Sequence, residues 1–162
     1  MKILANRHVG IIVHNFDKML DFYIGLGFEL RRRDSEEGPF VEKLLNADGI
    51  ILETAKLVLQ DENIPIHYRF NLELMKIVNT ESDRKDNLVN IDDFDFKQRK
   101  TGVLDIAFTV DNIQSIIKFI TDNGGDLISE PMQSIAGFPA LHSYARDPEG
   151  NILHLAQNLK AK

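Results

Sequence analysis

The sequence of 162 residues contains no cysteine. Without thiols it can form no disulfide, no thiolate zinc site and no cysteine nucleophile. It also lacks an apolar run long enough to span a bilayer, and its first residues lack the apolar stretch and small-residue cleavage site of a signal peptide. We therefore expect a cytoplasmic protein with no membrane partner.

Positive charge is in the minority. Lysine and arginine number 19 against 25 aspartates and glutamates, which gives a net charge of −6 at pH 7. This balance repels phosphate backbones, so we expect no nucleic-acid partner. The basic cluster Arg31–Arg33 is followed at once by acidic residues, and we interpret it as a solvated strand end. The composition, 43% hydrophobic and 27% charged, is ordinary for a globular protein.

The sequence repeats itself. Residues 8–16 align without gaps with residues 105–113, a shift of 97 positions that continues into the following segment. In each copy a β-branched apolar run predicts a strand. An asparagine (Asn15 or Asn112) then stands where a helix N-cap belongs, and apolar residues follow at helical spacing.

The two copies also match at their far ends, in a second register. Leu72-Glu73-Leu74 aligns with Leu153-His154-Leu155, a shift of 81 positions, so the first copy carries an insertion between about residues 31 and 70. We predict an α+β protein of two tandem βαβββ modules. They cover residues 1–79 and 102–162, a charged linker covers 80–101, and together they form one compact domain.

Three segments, in this order, resemble the vicinal oxygen chelate superfamily: Phe22-Tyr23-Ile24-Gly25-Leu26-Gly27-Phe28, residues 102–111 and residues 147–151. That superfamily contains glyoxalase I, methylmalonyl-CoA epimerase, extradiol dioxygenases and the fosfomycin- and bleomycin-resistance proteins. The resemblance extends from Arg7 to Gln157. It implies the glyoxalase-like fold, in which the modules form a curved, cup-shaped mixed sheet around one metal ion. Members often pair, so we expect a homodimer.

The resemblance also implies metal ligands on the first and last strands of each module, and the equivalent positions here are His8, Glu73, Asp105 and His154. The superfamily commonly has histidine in the place of Asp105 and glutamate in the place of His154, so this sequence inverts that pair. The set keeps two imidazoles and two carboxylates, which suits Zn, Ni, Mn, Co or Fe.

The residues themselves support a metal site, because each of the four polar side chains interrupts an apolar strand. Neighbouring side chains on a strand point to opposite faces, so each one points into solvent or into a pocket. An unpaired carboxylate in a partly buried site costs free energy that a divalent cation relieves. The alternative is that all four residues belong to the polar faces of half-exposed strands.

Four further residues are candidates for substrate binding. His67 and Arg69 share the strand parity of Glu73, and His142 and Tyr144 alternate on a strand before the turn at residues 147–151. As substrate-binding residues these side chains would line the pocket, and the alternative for His142 and Tyr144 is a surface or core role.

The function that the resemblance implies is that of a metal-dependent lyase or isomerase acting on a small substrate with vicinal oxygens. The reaction would pass through an enolate or enediolate, with Glu73 or Asp105 as the catalytic proton acceptor. Two alternatives remain open. One is an Fe(II) dioxygenase with two histidines and one carboxylate as ligands, and the other is a non-catalytic small-molecule binding protein of the bleomycin-resistance type.

Overall fold

The computed structural model describes residue 2 and residues 7–65, 68–78, 101–134 and 139–159. The chain divides into two compact units, Met1–Lys85 and Asp86–Lys162, which we call the first and second modules. Of the predicted linker, residues 80–101, only Thr101 is among the described residues. The predicted module limits at residues 79 and 102 therefore stay predictions.

The first module is a four-stranded sheet with two helices. Its elements in chain order are β1 (Val9–Ile12), α1 (Phe16–Gly25), β2 (Phe28–Glu37), α2 (Pro39–Leu45), β3 (Ile51–Leu59) and β4 (Asn71–Ile77). The strands lie in the order β1-β4-β3-β2, with β1 parallel to β4 and the other pairs antiparallel. This is the predicted βαβββ order with one addition, because α2 lies within the segment where the sequence predicts an insertion.

The second module repeats this arrangement without the extra helix. Its elements are β5 (Ile106–Thr109), α3 (Ile113–Asp122), β6 (Asp126–Leu127), β7 (Met132–Gln133), β8 (Ala140–Arg146) and β9 (Ile152–Asn158). The strand order is β5-β9-β8-β6, and β7 also pairs with β8. Two short strands, β6 and β7, therefore occupy the edge that the long β2 occupies in the first module.

The two modules have equivalent helices and the same pairing between their first and last strands. Helices α1 and α3 have ten residues each and begin 97 positions apart, while β4 and β9 begin 81 positions apart. In the first module Gly10 lies opposite Glu73, and in the second Ala107 lies opposite His154. The predicted α+β fold of two βαβββ modules is confirmed.

The first helix of each module begins at the asparagine that the sequence indicates. Asn15 Oδ1 accepts a hydrogen bond from the Lys18 amide at 3.2 Å, and Asn112 Oδ1 accepts one from the Ser115 amide at 3.0 Å. These bonds satisfy backbone donors that have no partner within the helix. Among the helices that the structure describes, none is long and apolar enough to cross a membrane.

The helices cover one face of each sheet and thereby direct the polar residues to the other face. Helix α1 packs against β2 and β4, and α3 packs against β6, β8 and β9. The largest fully buried apolar side chains are Met19, Tyr23, Leu57, Leu72, Leu74, Val13 and Val58 in the first module and Ile113, Ile120, Leu153 and Leu155 in the second. Because side chains alternate along a strand, Glu73 and His154 point to the faces away from the helices.

The basic cluster lies inside β2 and not at a strand end, since β2 continues to Glu37. Its guanidinium groups are each paired with a carboxylate: Arg31 with Glu29, Arg32 with Asp34, and Arg33 with Asp17 and Glu53. The cluster is therefore locally neutralised, which agrees with the interpretation that it is not a phosphate-binding surface.

Candidate metal and substrate site

In the first module, the structure brings the two predicted ligands together. Glu73 lies in the middle of β4, only 7% exposed, and its Oε2 is 3.1 Å from His8 Nε2. The parallel register places Gly10 beside Glu73. His8 directly precedes β1, and its ring lies 4.0 Å from the position that a Cβ of Gly10 would occupy, on the same face. The register of β1 and β4 and this ring position together bring the pair into contact.

A third group meets the same carboxylate. Lys56 on β3 lies directly opposite Glu73, with its Nζ 3.5 Å from Glu73 Oε1 and 3.9 Å from Glu36 Oε1. Both distances exceed the roughly 2.7–3.2 Å of a direct N–H···O hydrogen bond, so these are looser charge contacts. Sequence reasoning missed Lys56. The available signal was a single cation within the apolar strand Ile51–Leu59.

These side chains line a cavity of about 210 Å³. Its walls are Arg7, His8, Lys56, Asn71, Leu72 and Glu73. All of them belong to the first module, and most carry hydrogen-bonding groups. The cavity is therefore a polar pocket around a buried carboxylate.

In the second module, Tyr144 connects the two predicted ligands. It lies opposite His154 in the β8–β9 register, and the two rings stack with centroids 4.6 Å apart and planes 14° apart. Its hydroxyl donates a hydrogen bond to the carboxylate of Asp105. One phenol therefore positions both the imidazole and the carboxylate.

His142 contacts the same imidazole. Its Nδ1 is 3.0 Å from His154 Nε2, and the ring centroids are 5.2 Å apart. His142 and Tyr144, which the sequence nominates for substrate binding, thus both lie against a predicted ligand. Their role toward a substrate stays a prediction.

The remaining two substrate candidates are placed differently. The strand-parity argument for Arg69 does not hold, because β4 begins only at Asn71. The Arg69 guanidinium instead donates through Nε to the Ile64 carbonyl at 2.7 Å, which ties it to the segment before β4. His67 lies outside the described residues. Substrate binding by either residue stays a prediction.

The donor chemistry of the two pairs fits a first-row divalent metal, because each module offers one imidazole and one carboxylate. Two donors held about 2.0–2.2 Å from one ion, at a right angle, lie about 3 Å apart, and the His8–Glu73 contact is 3.1 Å. Within the ranges that the structure describes, no three His, Cys, Asp or Glu side chains are grouped so that they could hold one ion. The four-ligand set therefore stays a prediction.

The contact between Tyr144 and Asp105 has a consequence at alkaline pH. Burial raises the pKa of Tyr144 above its ordinary value of 10.0, and the charge and hydrogen bond of Asp105 raise this pKa further. A folded-state pKa above the unfolded value contributes stability below pH 10. That stability is lost as the pH rises through the folded-state pKa.

We therefore predict that an alkaline titration followed by tyrosinate absorbance shows a phenol that ionises above pH 10. This step should be missing in Tyr144→Phe and should move to lower pH in Asp105→Asn, because the neighbouring negative charge is removed. A late step that persists in Tyr144→Phe would belong to another tyrosine, and one that Asp105→Asn leaves in place would show that Tyr144 and Asp105 do not interact.

Comparison with known proteins adds the following. The model of the Glyoxalase/Bleomycin resistance protein/Dioxygenase superfamily matches residues 7–155. The chain is similar to a glyoxalase family protein from Bacillus cereus, with 25% identity and a TM-score of 0.77, covering 99% of this chain and 97% of that one. No curated protein matches the sequence.

Two further solved structures share the fold. A glyoxalase family protein from Enterococcus faecalis is 21% identical, with a TM-score of 0.58 and coverage of 93% of this chain and 95% of that one. Glyoxalase I from Zea mays is 20% identical, with a TM-score of 0.60. The match to the maize protein covers 97% of this chain and 46% of that one.

Proposed function

Because the chain belongs to the Glyoxalase/Bleomycin resistance protein/Dioxygenase superfamily, we propose that it is a metal-dependent enzyme of the lyase or isomerase type. Its substrate is a small molecule with two neighbouring oxygens, and the reaction removes a proton from carbon to form an enolate or enediolate. The observation that carries this proposal is the buried Glu73 carboxylate, which lies beside the His8 imidazole at the wall of a polar cavity.

In this proposal Glu73 is the proton acceptor. A general base must come within hydrogen-bond reach of the proton it takes, and Glu73 is the carboxylate that lines the first-module cavity. Only 7% of Glu73 is exposed, which limits the access of water to its carboxylate. The 210 Å³ of the cavity equals about seven waters at roughly 30 Å³ each, which suits a small metabolite.

In this proposal Asp105 of the second module is the alternative proton acceptor, and its carboxylate is oriented by the Tyr144 hydroxyl. His8, Glu73, Asp105 and His154 would hold the divalent metal. When bound, the metal supplies Lewis-acid stabilisation of the negative charge that develops on the substrate oxygens.

A small-molecule binding protein without chemistry is the second candidate. Lys56 favours it, because an ammonium 3.5 Å from Glu73 offsets the charge of that carboxylate without any metal. In that case the cavity would hold its ligand by charge and shape alone.

The test begins with protein stripped by a chelator and then supplied with Mn, Fe, Co, Ni or Zn. A metal that binds only the folded state, at 100 times its Kd, adds about 2.7 kcal/mol of stability. We expect the melting temperature to rise by about 5–10 °C. We also expect the loaded protein to exchange a carbon-bound proton of small hydroxy-ketones or β-dicarbonyl compounds with deuterium from heavy water, followed by NMR.

The outcomes separate the candidates. Stabilisation by a metal together with exchange supports the enzyme, and the absence of both supports a binding protein that needs no metal. Oxygen uptake with catechols by the iron-loaded protein would instead indicate a dioxygenase. If no metal changes the melting temperature and none copurifies, the four residues are only polar strand surface.

We also propose that the protein forms a symmetric homodimer. Helix α2 exposes Phe40 (77%) and Leu44 (68%), which stand four residues apart on one helical face. Exposed apolar side chains that adjoin each other are typical of association surfaces, which supports the proposal.

A further inference from the structure

We propose that the first-module cavity selects an organic anion, and that Lys56 binds the carboxylate of that anion. This names the substrate class of the proposed function and in that sense rests on it. Anion binding by this cavity, however, depends only on the residues of its lining and can be tested without a metal.

The wall of the first-module cavity is charged. Two side chains of its lining, Arg7 and Lys56, are cationic at neutral pH, and one, Glu73, is anionic. The lining thus carries more positive than negative charge, whereas the whole chain has a net charge of −6. Such a cavity concentrates small anions.

The ammonium group of Lys56 is accessible to a ligand. Lys56 Nζ stands between two carboxylates, at 3.5 Å from Glu73 and 3.9 Å from Glu36. Neither of these contacts is a direct hydrogen bond, and an ammonium has three hydrogen-bond donors. The Lys56 side chain is 46% exposed. A ligand carboxylate can therefore approach the ammonium without breaking either contact.

The two modules differ in the residue at this position. Lys56 lies opposite Glu73, and Tyr144 holds the equivalent place opposite His154. Since the second module folds in the same register with a neutral phenol at this position, the scaffold does not require a cation there. The lysine is thus specific to the first module, where it faces the cavity.

A purely structural role for Lys56, as the counter-ion of Glu73, makes a different prediction. A counter-ion contributes to stability but does not discriminate between ligands. An anion-binding lysine discriminates between two ligands of the same shape that differ only in charge.

The test therefore compares malonate with malonamide, which have the same skeleton and similar shapes, with carboxylate groups in the first and neutral amide groups in the second. Calorimetric titration uses the full chain without metal. We expect malonate to bind and malonamide to bind at least tenfold more weakly. Lys56→Gln should weaken malonate binding at least tenfold, whereas Lys56→Arg should retain it.

A matched control is Lys76→Gln. This substitution removes the same charge from the same sheet. Lys76 lies on β4 opposite Glu53, and its side chain points to the other face of the sheet from Glu73. We expect its malonate affinity to equal that of the parent. Malonate binding should also weaken with added salt, because charge attraction is screened.

The proposal is overturned if malonate does not bind, if malonamide binds the parent equally well, or if Lys56→Gln and the parent bind malonate equally. The two-ligand comparison on the parent needs no variant, so it remains decisive even if Lys56→Gln does not fold. Because the titrations contain no metal, the proposed enzymatic function can fail in its metal and exchange tests while anion binding persists. Conversely, the metal and exchange tests can succeed while malonate fails to bind, which would overturn only the anion proposal.

Discussion

Replacing Glu73 by glutamine is expected to lower metal affinity at least tenfold and to lower turnover by about 10²–10⁴-fold. The amide keeps the shape of the side chain, so the strands around it can remain in place. It lacks the negative charge that attracts a cation and cannot accept the substrate proton. This is the largest single effect that the site predicts.

The contacts of Glu73 determine which neighbours the substitution affects. Its two oxygens contact His8 and Lys56 separately, at 3.1 and 3.5 Å, so the substitution affects both neighbours at once. Lys56 retains Glu36 at 3.9 Å as a second carboxylate, which limits the loss of stability without metal. Circular dichroism should therefore show a folded protein.

Calorimetric metal titration and deuterium exchange measure the two losses. Glu62→Gln is the matched control, because it removes the same charge from an exposed turn of the same module and should leave both values unchanged. If Glu73→Gln binds metal and exchanges protons as the parent does, Glu73 is neither ligand nor base.

The second large effect concerns the inverted pair Asp105 and His154. Asp105→Ala and His154→Ala should each weaken metal binding by an order of magnitude or more, the loss typical of a removed ligand. The double change Asp105→His with His154→Glu restores the arrangement common in the superfamily. It should retain more affinity than the double alanine variant, because it keeps one imidazole and one carboxylate.

The structure adds a necessary control to this experiment. Tyr144 stacks on His154 and donates to Asp105, so each alanine change also removes a Tyr144 contact. Tyr144→Phe removes the hydroxyl and keeps both candidate ligands, which separates ligand loss from lost positioning. Metal titration of these five variants and the parent measures each contribution. If both alanine variants bind metal as tightly as the parent, the second module contributes no ligand.

Much of the fold could be predicted from the sequence because the determining patterns are local. Alternation at a period of two marks the strands, helical spacing marks α1 and α3, and Asn15 and Asn112 mark where those helices begin. The shift of 97 positions then repeats these signals, so each copy supports the assignment of the other. The two copies align at shifts of 97 and 81 positions, which predicts an insertion in the first copy. The helix α2 within that insertion was not predicted.

The pairing of His8 with Glu73 could also be anticipated from the repeat, although His8 directly precedes β1 and only Glu73 lies within a strand. Asp105 and His154 occupy the equivalent positions, and the structure links them through Tyr144. Their action on one metal stays a prediction. Strand parity failed for Arg69, because parity holds only within a strand and β4 begins two residues later.

The sequence by itself determined the repeated order of elements, the starts of α1 and α3, and the positions of Glu73 and His154 within their strands, whereas His8 and Asp105 directly precede β1 and β5. Only the tertiary structure decided which side chains meet across strands. The cation beside Glu73 depends on the antiparallel register of β3 and β4, and the His142, Tyr144 and His154 cluster depends on that of β8 and β9. Such registers are set by turns and by burial of whole sheet faces, which act between segments distant in sequence, so no local pattern contains them.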